Sequence, residues 1–548
     1  MNHIELFAGC GGLCLGLSEV GFKLLMANEL SPMAAETFAF NILNEDLLTN
    51  SSKSVHSLWI TSQYARENMA ARLREDPRAY PSNLSVNSDL DEDGCNLNGS
   101  LVVGNILSLN DWLDAHPKAR EKLASAFGEG EVDLVSGGPP CQSFSLAGLR
   151  EKNNEKNSLP WAFAKFSDLI RPRVVLLENV TGILRPFTEN GKKYHAWLEV
   201  SKAFAGIGYV PLTLHINAKF AGVAQNRPRF ILLGVRNDVF EKLKLKLNAT
   251  ETKLFESAVS FYEKVSNQQP VDEKTLKVHD LNIGDQTVFK AFQDSFLAPL
   301  CVRDTLFVSV KEAIGDLSNG EKPSEYVQNL NALFKNELPK HANDVDWSHR
   351  IIINQPRVRR RFRIYQVMAD LSKDARRAIG NVLSGKDTDI TVEVWKEVKP
   401  KRFLSEDEKL ITFKSKTAFV AYLKLHLTKK QTQRALIASD PAPAALSIPD
   451  DACHYSELRT LTAREMARIQ SFPDNYIFRS KMTTGGQSRR FEVPIYTQIG
   501  NAVPVLLGRA LGICVKTLLQ KIDEGALVIR SQKEPAGDNP AGSDQINC

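Results

Sequence analysis

Short apolar runs and helically spaced apolar positions take turns along the first 236 residues. "HIELF" reads as a strand, and "AGCGGLCLGLSEVG" as a glycine turn entering a helix with Leu13, Leu17 and Val20 on one face. "FKLLMANE" predicts a second strand ending in Glu29, and "SPMAAETFAFN" a helix with a serine cap and proline in its first turn. "LVVGNIL", "VDLVSGGPPC" and "RVVLLENV" read as further buried strands, with the helix "LPWAFAKFSDLIRP" before the last of them. A helix ("YHAWLEVSKAFAGIG") and two strands ("YVPLTLHIN", "VAQNRPRFILLGVR") complete the series. This alternation predicts an α/β fold with a mostly parallel, doubly wound sheet. Ligands of such sheets bind at the carboxyl ends of the strands. Glu29, Asn105, Cys141 and Glu178 each follow a strand, so the sheet is expected to gather them on one edge.

The pattern breaks in two places. Residues 44–98 turn rich in Ser, Asn, Asp and Glu, and read as a polar insertion without a core of its own. From residue 237 the alternation stops, and a lysine-rich, longer-looped stretch to 484 predicts a second, smaller domain. Near its end, Thr462 and Glu465 form the spacing of a capping box. Residues 485–530, with "YTQIGNAVPVLLGRALGICVKTLL", predict a turn and apolar helix returning to the first domain. The polar tail 531–548 is expected to be disordered.

Composition narrows the class. The chain has 548 residues, 43% hydrophobic and 24% charged, enough for a real core. Its net charge of +5 is compatible with an anionic partner. The eight cysteines contain no Cys-x-x-Cys pair, which argues against a metal site or disulfide framework and for a reducing compartment. No stretch is expected to reach the roughly 20 apolar residues of a membrane span. The first residues show no basic leader of a signal peptide.

Four clusters carry chemistry. In "FAGCGG" a glycine turn between strand and helix lets backbone N–H groups approach a ligand, and Glu29 can accept from ribose hydroxyls, which together suggest an adenosine-containing cofactor. In "GGPPCQSFS" glycine and proline set the position of Cys141, a candidate nucleophile; a lone cysteine is otherwise a small buried hydrophobe. Glu178, ending an apolar strand, is placed to donate a proton or a hydrogen bond, or else to serve a helix terminus. Arg227 and Arg229, at i and i+2 of a strand, can grip a phosphate and a base carbonyl, or form a solvated basic edge.

Taken in order, "FAGCGG", "GGPPCQSFS", "ENV", "QNRPRF", "REMARIQSFPD" and "QIGNAVP" resemble the motif set of the DNA (cytosine-5) methyltransferases, over about residues 1–43, 101–236 and 456–520. The resemblance implies a Rossmann-like, S-adenosylmethionine-dependent sheet with a smaller target-recognition domain. It assigns Cys141 as the thiolate that adds to cytosine C6, and Glu178 to N3 and the exocyclic amine. Arg229 falls to O2, and Arg227 to positioning the nucleotide and catalytic loop. Gln142 and Ser145 fall on the loop that closes over DNA. Phe7, Gly9, Gly11, Gly12, Glu29, Asn105, Ile106 and Asn501 fall to the cofactor. One departure is "GNI", where the family usually has Gly-Asp-Ile; Asn105 can still accept through its amide oxygen, without charge. By position, residues 237–455 match the recognition domain, and "RVRRRFR", with Arg357 and Arg359, is a candidate DNA contact or a solvated basic helix.

The implied enzyme is a monomeric, cytoplasmic, bacterial-type methylase acting on double-stranded DNA with the base flipped out. A cognate restriction endonuclease is its expected functional partner. Two alternatives stand beside it: an RNA cytosine-5 methyltransferase, and a catalytically weak DNA-binding regulator.

Overall fold

The computed structural model describes residues 1–49, 56–76, 78, 87–140, 159–189, 192–303, 305–338, 347–430, 432–444, 448–486, 488 and 491–531. Cys141, Gln142 and Ser145 lie outside the described residues, as does the tail beyond Ser531.

Nine strands form the main sheet: β1 (Asn2–Leu6), β2 (Lys23–Glu29), β3 (Ser57–Trp59), β4 (Ser100–Val103), β5 (Leu134–Gly137), β6 (Val174–Val180), β7 (Tyr209–Asn217), β8 (Pro228–Arg236) and β9 (Val278–Asp280). Their order is β9-β7-β8-β6-β5-β1-β2-β4-β3. From β3 through β6 every pairing is parallel, and β8 then runs antiparallel to both β6 and β7. The central strands β1 and β5 are buried along their whole length, as expected of parallel strands covered on both faces by helices. Those helices include α1 (Gly12–Glu19), α2 (Pro32–Ile42), α3 (Ile106–Ala115), α4 (Leu159–Ile170) and α5 (Ala196–Gly206). The Ser31 side chain caps α2 by accepting from Ala34 N, with Pro32 in the first turn, as the sequence predicts.

Two boundaries fall elsewhere than expected. The stretch 44–98 does not hang off the sheet as a coreless insertion. Its β3 pairs with β4 and forms the sheet edge, while Leu47, Trp59, Met69 and Leu73 pack against Ala27, Phe38 and Leu101. Arg72 and Asp89 form an ion pair of 2.6 Å inside it, with side chains 0% and 7% exposed. The first domain also continues past residue 236. Helix α6 (Ala249–Ser266), opened by an Asn248–Glu251 capping box, packs over β7, and β9 adds a parallel strand beside it. Leu254, Phe255, Phe261, Phe292 and Phe296 belong to the sheet's own core, which reaches Cys301. A three-residue strand amid polar, lysine-rich sequence is too short to show its period, so the alternation seemed to end early.

The second lobe is largely helical rather than long-looped. Helices α7 (Pro356–Ala369), α8 (Lys373–Ser384) and α9 (Lys416–Lys424) enclose a core of their own around Phe362, Ile379, Phe403, Phe419 and Leu423. Between the lobes, α10 (Ala463–Ile469) and α11 (Ile495–Asn501) share a cluster with Cys10 and Leu15 of the first.

The chain returns through α12 (Val505–Ser531), packed along α1. A Cβ on Gly16 would lie 2.5 Å from Arg509 N, so only glycine lets the two backbones approach this closely. The segment Ile495–Glu524 is, by length and composition, apolar enough to cross a membrane, with a window of mean hydropathy 1.7; the expectation that no stretch comes near is corrected. Of that window 67% is buried within the fold, as in a core helix.

Candidate active site

The carboxyl edge of the sheet carries two adjoining clusters. The first surrounds the glycine turn. Phe7 leaves β1 at φ 55°, in the left-handed region that a bulky residue rarely adopts, and is half-buried. Gly9 and Gly11 follow at φ 55° and 87°. Glu29, ending β2, accepts from Gly9 N and Ser31 N, each at 2.8 Å, so one carboxylate ties the turn to the start of α2. Burial pushes its pKa up against the lowering effect of those N–H groups. Gly12 lies under the C-terminal segment: a Cβ there would meet Val503 O at 2.4 Å. Asn105 caps α3, its amide oxygen accepting from Leu107 N at 3.0 Å, and Ile106 beside it is buried. The oxygen that the resemblance assigns to a ligand amine therefore already holds one backbone donor; an amide oxygen has two lone pairs. Asn501 is exposed at the end of α11, two residues before Val503.

The second cluster joins β5, β6 and β8. Glu178 Oε1 and Arg229 Nε lie 2.5 Å apart with side chains 11% and 9% exposed. The Nε–H is not aimed along this contact, so it is an ion pair more than a directed hydrogen bond. Gly138 is what makes room for it: a Cβ there would sit 2.9 Å from Glu178 Oε2. The neighbouring Asn179 donates to Pro139 O at 3.0 Å and so pins the Pro139–Pro140 turn that leads into Cys141. Glu-Asn in "LLENV" thus has two jobs, one residue facing the cluster and the next holding the turn. Sequence reasoning missed the second, although the alternation of strand side chains signals it.

Arg227 is held by main chain of the C-terminal segment. Its Nη2 donates to Gly500 O at 2.9 Å and Ala502 O at 3.0 Å, and the group is 3% exposed. Burial and the charge of Arg229 hold its pKa well below the ordinary arginine value. Its visible work is to hold the "GNAVP" turn against β8. Tyr476 was also not foreseen as part of the site, whereas the sequence reads Arg464 and Glu465 as structural rather than catalytic. The Tyr476 hydroxyl donates to Cys10 O in the glycine turn, and Arg464 holds Pro473 O at 3.0 Å and Tyr476 O at 2.7 Å. The signal was the "REMARIQSFPDNY" block itself, within which Arg464 finds its partners, while Tyr476 reaches one 466 residues away in sequence.

Arg357 and Arg359 are not brought to this edge. Both lie on α7 in the second lobe, where Arg359 pairs with Glu408 at 2.6 Å. Arg357 lines a separate cavity with Arg360, Phe413, Tyr422 and His426.

The sheet order, the glycine turn braced by Glu29 and the second cluster at the same edge define a Rossmann-like methyltransferase fold with a smaller second lobe. The chain belongs to the C-5 cytosine-specific DNA methylase family, whose model matches residues 1–60 and 113–516. It is a DNA (cytosine-5-)-methyltransferase. It is 24% identical over 526 residues to the type II methyltransferase M.DdeI of Desulfomicrobium norvegicum, covering 95% of this chain and 90% of that one. It is 26% identical over 539 residues to M.Bpa9945I of Bacillus paralicheniformis, covering 95% and 99%. Among solved structures, an E. coli prophage protein described as a candidate DNA modification methyltransferase is 18% identical, with TM-score 0.48 over 95% of this chain and 99% of that one.

Proposed function

We propose that the protein methylates C5 of a flipped-out cytosine within one short double-stranded DNA sequence, with S-adenosylmethionine as donor, as the modification enzyme of a restriction system. The observation that carries this reading is the pairing of the two clusters on one sheet edge: a glycine turn with Glu29, and Glu178–Arg229 beside the turn into Cys141.

The glycine turn fits the cofactor. Among the described residues, a Cβ on Gly9 would meet nothing within 4 Å, so space lies open beside the turn's backbone. Phe7, Gly9, Gly11, Gly12, Glu29, Asn105, Ile106 and Asn501 would hold the molecule, Glu29 through its ribose hydroxyls. Bound there, S-adenosylmethionine supplies an electrophilic methyl group.

The chain's own residues make C5 able to accept it. Cys141 adds as thiolate to C6, forming the S–C bond and shifting the ring electrons towards C5. Glu178 bonds N3 and the exocyclic amine and stabilises the charge that develops in the ring, and Arg229 bonds O2. In the free protein these two satisfy each other, so the base enters by exchanging an internal ion pair for its own polar edge. After transfer, loss of the C5 proton to a base reforms the double bond and expels the Cys141 sulfur. Arg227 holds the turn behind Asn501, and Gln142 and Ser145 belong to the loop that closes on DNA. Residues of the second lobe read the sequence, and Arg357 contacts the DNA backbone. The relatives named as type II methyltransferases support the restriction-system role; the enzyme is expected to act as a monomer on bacterial DNA.

The test is expression in a bacterial host lacking cytosine methylation, beside Cys141→Ser, followed by bisulfite sequencing. Protected cytosines in one fixed context, absent with the serine variant, are expected. Soluble wild-type protein that protects none refutes the DNA reading.

A further inference from the structure

Behind the glycine turn lies a group of side chains that the methyl-transfer chemistry does not use. His3 and Glu5 stand two apart on β1 and therefore face the same side of the sheet, where Cys14 of α1 covers them. They are 0%, 2% and 0% exposed. One ligand-type atom from each, a ring nitrogen, a carboxylate oxygen and the sulfur, lies within 4.8 Å of the others. Among the described residues, both ring nitrogens of His3 and Oε2 of Glu5 have no hydrogen-bond partner. Buried polar atoms are almost always paired, so several orphans at one point call for a common partner. Among the described residues this is the one such group.

We propose that His3, Glu5 and Cys14 bind a zinc-type divalent cation that staples β1 to α1 beneath the cofactor turn. The donor set selects the metal class. Magnesium and calcium take oxygen ligands, whereas zinc accepts imidazole nitrogen, thiolate and carboxylate together. Tetrahedral zinc places its ligand atoms roughly 3.3–3.8 Å apart, so the three must draw in by about 1 Å, with a water in the fourth position. Charge also balances. A thiolate and a carboxylate cancel a dication, leaving no net charge in an apolar core, and the protons they carried pass to solvent. The Ser18 hydroxyl, one turn along α1, reaches the sulfur and would support it as a ligand. No Cys-x-x-Cys spacing announces the site because its ligands come from a strand and the next helix.

The full chain, purified without chelator, is expected to carry about one zinc by mass spectrometry of the metal. His3→Gln, Glu5→Gln and Cys14→Ser should each lower occupancy at least tenfold. Cobalt exchanged into the wild type should give a thiolate charge-transfer band that persists in Cys141→Ser and vanishes in Cys14→Ser. Should Cys14→Ser not fold, Cys14→Asp is expected to retain metal and lose the band. Wild-type protein that holds no zinc as purified, takes none when it is added and shows no rise in Tm overturns the site. So does zinc retained in full by folded Glu5→Gln and His3→Gln. Neither result bears on methyl transfer.

Discussion

On the glycine-turn half of the sheet edge, Glu29 accepts two backbone N–H groups and Tyr476 donates to Cys10 O; on the other half, Glu178 and Arg229 hold each other across 2.5 Å. The first half is braced by bonds to main chain. The second is braced by two side chains whose polar atoms are the ones a cytosine would need. On the proposed reading a cofactor meets a finished cradle, whereas the base replaces an existing contact. Preorganisation on one side and exchange on the other is a physical reason for binding the donor and the target in different ways.

Mutations can break this comparison at several depths. The largest effect belongs to Cys141→Ser, which should lower methyl transfer by about 10^3-fold or more, while cofactor binding by calorimetry stays within about twofold. Next comes Arg229→Ala. It strands the buried Glu178 charge, and should cost about 3 kcal/mol of stability by urea melts and roughly 10^2-fold in rate. Adding Glu178→Gln should return much of the stability and none of the activity; if it returns both, the pair is only structural.

The cradle half should fail differently. Gly12→Ala puts a methyl against Val503 O, which should cost on the order of 2 kcal/mol and raise the cofactor KM more than it lowers kcat. Glu29→Gln tests the electrostatics. Because burial raises the native pKa of Glu29 above its ordinary 4.5, the folded state holds that proton more tightly than the unfolded one. Its contribution to stability therefore falls as pH rises from about 4.5 through the raised native value, and stays lost above it. Glu29→Gln should flatten that part of the Tm–pH curve while weakening cofactor binding by about tenfold. Smallest is Arg359→Ala in the second lobe. Its surface pair with Glu408 should be worth about 0.5 kcal/mol or less. Arg357→Ala should instead reduce the salt slope of DNA affinity by about 1 if that arginine meets a phosphate.

Much of the site was legible because its parts are local. The three glycines of "FAGCGG" between a strand and a helix, or an acid at the end of "VVLLE", are set by neighbours in sequence. What escaped were partners distant in sequence, by 40 residues in one case and 273 in another. Arg227 looks like half of an arginine pair in "QNRPRF", yet its guanidinium is claimed by Gly500 O and Ala502 O. Asn179 looks like a spacer, yet it holds Pro139. The edge strands β3 and β9 have three residues each, too few to display a period, so the sheet was read as narrower than it is.

Residue order alone was enough for the α/β class, the carboxyl-edge position of Glu29 and Glu178, the cap on α2 and the return of the last helix. All of these follow from periodicity, end signals and strand polarity, which act over a few residues. The chain could not disclose which groups meet across the fold: Tyr476 with Cys10, Arg227 with the "GNAVP" turn, His3 with Cys14. Such meetings depend on how helices and strands pack. A glycine at 16 lets α12 approach α1, and the gap it leaves is visible only once both backbones are in place.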